Sequence, residues 1–154
     1  MANPSKVEDW PHPNFENCEF YGKLEGLLKC QSVGVDYLSH YAPYYCEAFK
    51  RESKGWSKEL NMWAQKTGLC LQKMLYGQRD NPNLSCKTLE DIAFSTHAGC
   101  YNQADLCKLK IPELFKVIRV IKMKDMMREV RYSASEINGL MMTCLDSWIF
   151  GEKN

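Results

Sequence analysis

The chain contains no run of about 18 apolar residues, so no helix in it is expected to span or insert into a membrane. It has almost no net charge, +1 from 20 Lys+Arg against 19 Asp+Glu, which removes any global electrostatic case for nucleic acid or an anionic membrane as partner. No CxxC pair occurs and no two of the 3 histidines stand at i and i+4, so neither a metal knuckle, a redox motif nor a helical zinc scaffold is written into it. No cofactor and no metal site of transition type is expected. Strand-like alternation is nearly absent, and no internal repeat or low-complexity tract divides the chain. The opening residues, Met1-Ala2-Asn3-Pro4-Ser5-Lys6, lack the basic and apolar regions of a signal peptide, as expected where a secretory leader has been removed or replaced.

Against these absences stand 8 cysteines, at positions 18, 30, 46, 70, 86, 100, 107 and 144. An even count without CxxC spacing points to a disulfide framework, hence to an oxidising compartment and a secreted, extracellular protein. A chain of 154 residues allows one domain whose core can fold but gains from covalent bracing. Asn83-Leu84-Ser85 is an N-glycosylation acceptor in a polar stretch, 78–85, that also carries Pro82 and reads as a surface loop.

Residues 1–17 hold Pro4, Pro11 and Pro13 without an apolar period, and are expected to form an extended, loosely held arm before a single domain over 18–154. From Cys18 onward apolar residues recur at helical intervals, so the fold class is all-α: a helical bundle of about four main helices plus shorter N-terminal ones. Residues 56–75 place Trp56, Leu60, Trp63, Thr67, Cys70, Leu71 and Met74 on one stripe, with both tryptophans read as core. A second helix is expected over 88–107, opened by Thr88 and Asp91 at capping-box spacing, with Cys100 and Cys107 on a shared face. A third starts at Pro112 and carries Leu114, Val117, Ile118 and Ile121 towards Arg131. A fourth opens at the box Ser133 and Glu136 and shows Ile137, Leu140, Met141, Cys144, Leu145 and Trp148 on one stripe. Shorter helices are expected over 22–38 and 43–54, with Gly34 and Pro43 breaking the pattern.

The intervals between successive cysteines are 12, 16, 24, 16, 14, 7 and 37. The run of 24, 16, 14 and 7, from Cys46 through Cys70, Cys86 and Cys100 to Cys107, resembles the cysteine ladder of the stanniocalcin family. Neighbouring residues extend the likeness. Phe49 falls three after Cys46, Trp56 and Trp63 stand where the family carries Phe, Thr88 follows Cys86 by two, and Cys100-Tyr101 matches a Cys-Tyr pair. The sequence by itself leaves the pairing of the cysteines open. The resemblance implies the bridges Cys18 to Cys46, Cys30 to Cys86, Cys70 to Cys100 and Cys107 to Cys144, each adding about 2–4 kcal/mol. One N-terminal cysteine pair of the family and its later subunit-linking cysteine have no counterpart here, so no covalent dimer is expected.

Stanniocalcins are secreted glycoprotein hormones linked to calcium and phosphate regulation, and vertebrate members inhibit pappalysin metalloproteinases. The resemblance therefore implies a non-enzymatic regulator that binds a receptor or such a metalloproteinase. Candidate contact residues are the cations of 108–131, among them Lys116, Arg119, Lys122 and Arg128, which suit an acidic protein or a sulfated glycan. A solvated helix face is the plainer reading of the same charges. Tyr37, Tyr41, Tyr44 and Tyr45 either anchor an interface or cover the first bridge. Met123, Met126, Met127, Met141 and Met142 read as core filling before they read as an adaptable groove.

One stretch argues for chemistry. Residues 96–104, with His97 and Cys100-Tyr101, resemble the active-site helix of secreted phospholipase A2, but Ala98 stands where that family carries a calcium-binding Asp. Ala93 and Phe94 replace its preceding cysteines, so a catalytically inactive relative is the most that likeness implies. His97 is then expected to be a partly buried helix residue hydrogen-bonded to a neighbour. A secreted effector or toxin on a disulfide-braced helical scaffold is the remaining alternative.

Overall fold

The computed structural model describes residues 8–122, 124, 125, 127, 128, 142, 144–146 and 148–150. Asn17 starts the first helix, its Oδ1 accepting the N–H of Glu19 at 2.9 Å, and α1 (Glu19–Leu28) then buries Phe20, Tyr21 and Leu24 on one side. Lys29 closes α1 in the left-handed region, donating its N–H to the Glu25 carbonyl at 2.7 Å. A short 3-10 turn (Cys30–Val33) follows and ends at Gly34, whose φ of 81° is open to glycine without steric cost. A π-helical turn (Tyr37–Tyr41) runs directly into α2 (Ala42–Glu52), and Pro43 sits in the first turn of that helix, where its fixed φ is already helical.

Serine sets the start of the next two long helices. Ser57 is extended and its Oγ accepts the Leu60 N–H at 3.2 Å, so α3 (Lys58–Tyr76) begins after Trp56, which lies outside the helix but still packs edge-on against Phe49. The stripe expected on this helix buries Leu60, Trp63 and Thr67. Ser85, not Thr88, caps α4 (Cys86–Ser95), its Oγ accepting the Thr88 N–H at 3.0 Å.

The helix expected over 88–107 is three pieces. Thr96 interrupts it because its Oγ1 turns back onto the carbonyls of Ile92 and Ala93 at 2.9 and 3.1 Å, and Ser95 Oγ also takes the Ile92 carbonyl. The chain continues as α5 (His97–Gln103) and then a 3-10 turn (Leu106–Lys108), which puts Cys100 and Cys107 on different elements rather than one face. Helix α6 (Ile111–Val120) has Pro112 in its first turn, and Glu113 reaches back to the Lys110 N–H at 3.3 Å. It stops well short of 131. Ile121 is extended, and the Lys122 N–H, which a continuing helix would give to Ile118, goes to Tyr45 Oη at 3.1 Å.

Two hydrophobic clusters result. The larger joins α1, the π turn, α2 and α4 through Leu24, Leu38, Tyr41, Tyr45, Leu89 and Phe94. The smaller joins α3 and α6 through Leu60, Trp63, Ala64 and Val117, and Phe49 and Ile121 pack against both. Residues 8–17 are not loosely held. Trp10 is 4% exposed in the larger cluster, the Asn14 N–H donates to the buried Gln72 Oε1 at 2.7 Å, and Lys50 Nζ donates to the Glu16 carbonyl at 2.6 Å. Prolines at 11 and 13 keep the chain beyond Trp10 out of α-helix without preventing Trp10 from being buried.

Four disulfides brace this all-α bundle, and each joins two different elements. Cys18, before α1, meets Cys46 of α2; Cys30 meets Cys86 at the start of α4; Cys70 of α3 meets Cys100 of α5. Cys107 of the last 3-10 turn meets Cys144 with a Cα separation of 4.7 Å. These are the pairs that the stanniocalcin resemblance implies. The helix expected from Ser133 lies mostly outside the described residues, but 142, 144–146 and 148–150 are helical, and Trp148 Nε1 donates to the Cys107 carbonyl at 2.9 Å.

Candidate functional site

Most of α6 faces outward. Val117 is its one buried residue, with Leu114 half-buried against the α3 cluster, while Ile111, Phe115 and Ile118 are 56%, 59% and 48% exposed. Spacing of i, i+4 and i+7 puts these three on one stripe. Arg119 is exposed beside it and Lys116 is exposed further round the helix, and among the described residues neither forms an ion pair. An exposed aliphatic and aromatic stripe with cations on the same helix has a composition that docking surfaces share, in which a ring anchors and charges steer.

The helix is fixed from both ends. Ser57 Oγ, already the cap of α3, donates to Glu113 Oε1, joining the N-termini of α3 and α6. Past the C-terminus, Tyr45 Oη accepts from Lys122 and donates to Asp125 Oδ2. Burial, and then that bond to a carboxylate, pushes the Tyr45 phenol above its ordinary value of 10.0. Lys122 Nζ lies 4.2 Å from the centre of the Tyr44 ring, and Tyr44 is 44% exposed, so the pair extends the cationic and aromatic surface beyond the helix.

Two of the six residues expected at the contact surface lie elsewhere. Tyr41 is 8% exposed and packs on Tyr37, Tyr45 and Phe94; it is core. Arg128 is a structural tie, its Nη2 standing 3.2 Å from both Asp36 Oδ1 and Glu90 Oε1, with the guanidinium 4.7 Å from the Phe94 ring centre. Burial would lower its pKa, yet the bonds and charges of Asp36 and Glu90 outweigh that and hold it above its ordinary value. Lys116, Arg119, Lys122 and Tyr44 are the expected contact residues that reach the surface. Met127 and Met142 are exposed rather than core-filling, and Met123, Met126 and Met141 lie outside the described residues.

The sequence reading missed Ile111 and Phe115, and grouped Ile118 with Leu114, Val117 and Ile121. The signal was present: the apolar residues of this ten-residue helix cover one arc wider than half its circumference, more than a single core contact can use. His97, singled out beside the phospholipase-like stretch, is 5% exposed between the rings of Phe94 and Tyr101, and Ala98 is 3% exposed. Asn83 stands exposed in the turn between α3 and α4. Among the described residues no cluster of His, Cys, Asp or Glu is arranged to hold a metal ion, and no helix is long and apolar enough to cross a membrane. No family model, no curated protein and no solved structure matches this chain.

Proposed function

We propose that the protein is a secreted, stanniocalcin-like glycoprotein regulator that acts by binding another protein through the outer face of α6. The observation that carries this reading is the stripe Ile111, Phe115 and Ile118, left exposed on a helix that is itself pinned at both ends. Stripe and cations together suit a partner with an apolar groove bordered by carboxylates. The four bridges pre-organise the surface, so little conformational entropy is lost on docking. The cysteine ladder supports a receptor or a pappalysin-type metalloproteinase as the partner, with calcium and phosphate balance as the setting. Disulfide chemistry, which belongs to oxidising compartments, supports secretion, and Asn83 is the site we assign to the glycan.

The test is inhibition of a pappalysin-type metalloproteinase by the secreted chain and by Phe115→Asp. Placing a charge at the centre of an apolar contact should weaken inhibition by about 30-fold or more, equivalent to roughly 2 kcal/mol, without changing the far-UV circular dichroism. Equal inhibition by both proteins would remove α6 from the interface, and inhibition by neither would remove the protease as target.

A further inference from the structure

A cavity of about 70 Å³ lies where the two hydrophobic clusters meet, walled in part by Phe49 and Ile121, the side chains that pack against both. It has several times the room that one water needs, yet its wall is mostly aromatic: Phe15, Tyr21, Tyr45 and Trp63 line it with Phe49. The hydroxyl of Tyr45 is already committed, to the Lys122 and Asp125 pair. Thr67 is different. It lines the cavity at 5% exposure, and its Oγ1 finds no hydrogen-bond partner among the described residues, not even the carbonyl four residues back that a helical threonine commonly uses. A buried hydroxyl without a partner is a cost that a bound molecule can remove.

The cavity wall is also built on a close approach. A Cβ at position 68 would stand 1.9 Å from the Phe15 ring, so only glycine lets Phe15 lie against α3 and close that side. We propose that the cavity binds one small monocyclic aromatic molecule carrying a single hydroxyl, of the phenol class, whose hydroxyl pairs with Thr67 Oγ1 while its ring packs among the aromatic side chains. Water is a poor occupant, since a buried water wants two to four polar partners and this wall offers few.

Calorimetric titration of the disulfide-intact protein with p-cresol and with toluene tests this, because the two differ by one hydroxyl. The wild type should bind p-cresol at a single saturable site and toluene about tenfold or more weakly. Thr67→Val should bring the two affinities to within about threefold. Ala64→Leu, which extends a side chain of the wall into the space, should abolish binding of both while the far-UV circular dichroism is kept. If Ala64→Leu does not fold, the Thr67→Val comparison decides alone. No saturable binding of p-cresol by the wild type, or equal affinity for the two compounds, would overturn the assignment.

Discussion

Arg128 shows how a residue can read as surface in the sequence and act as structure in the fold. It belongs by position to a run of cations, but Asp36, far earlier in the chain, and Glu90, 7% exposed on α4, face its guanidinium. Removing Arg128 leaves Glu90 with a buried carboxylate and one fewer partner, so Arg128→Ala should cost about 2 kcal/mol in urea unfolding. Arg119→Ala, at an exposed site that forms no ion pair among the described residues, should stay within about 0.5 kcal/mol. Equal costs would contradict the roles assigned to them. The phenols give a second prediction. Burial first, with Asp125 second at Tyr45, raises Tyr21 and Tyr45 above the ordinary 10.0, so both must be neutral in the fold. A group whose folded pKa is raised contributes stability that is complete below its unfolded pKa and lost as pH rises past it. The melting temperature should therefore hold up to about pH 9 and fall steeply above about pH 10. Spectrophotometric titration should show these two tyrosines ionising only with unfolding; all 8 titrating near pH 10 with the fold intact would contradict their burial.

At the scale of the element, helix type was legible in the sequence and helix ends were not. The apolar period of α3 and the Pro112 start of α6 are local signals, and the structure keeps both. Ends depend on groups distant in sequence: α6 stops where the Tyr45 hydroxyl takes a backbone N–H from a position 77 residues away. The break at Thr96 was local but ambiguous, because a threonine side chain competes with the helix without announcing it in the apolar pattern. The same distance in sequence explains the contact surface. Lys116 and Arg119 could be named from charge alone, whereas telling Arg128 from them required Asp36 and Glu90 to be placed beside it. Ser57 joins two elements by capping α3 and donating to Glu113 of α6. Ser57→Ala should cost about 1–2 kcal/mol, and hydrogen exchange should quicken in the first turn of α6 as well as of α3. Faster exchange in α3 alone would show that the serine caps without joining.

For the whole molecule, the four bridges carry the most, since they fix which elements meet whatever the core residues do. Bridges spanning 28, 56, 30 and 37 residues close loops long enough for each to constrain the unfolded chain by about 3–4 kcal/mol, together comparable with the net stability of an ordinary domain. The same bridges hold α3 against α5 and tie the C-terminal helical stretch to the turn that precedes α6. Both the compartment and the pre-organised α6 surface of the proposed regulator rest on these pairs forming. Peptide mass spectrometry under non-reducing conditions, on protein recovered from culture medium, measures them directly. The account predicts four bridged peptides, Cys18 with Cys46, Cys30 with Cys86, Cys70 with Cys100 and Cys107 with Cys144, and no free thiol. Free thiols, or Cys70 bridged to any residue but Cys100, would contradict both the bundle described here and the stanniocalcin-like reading built on it.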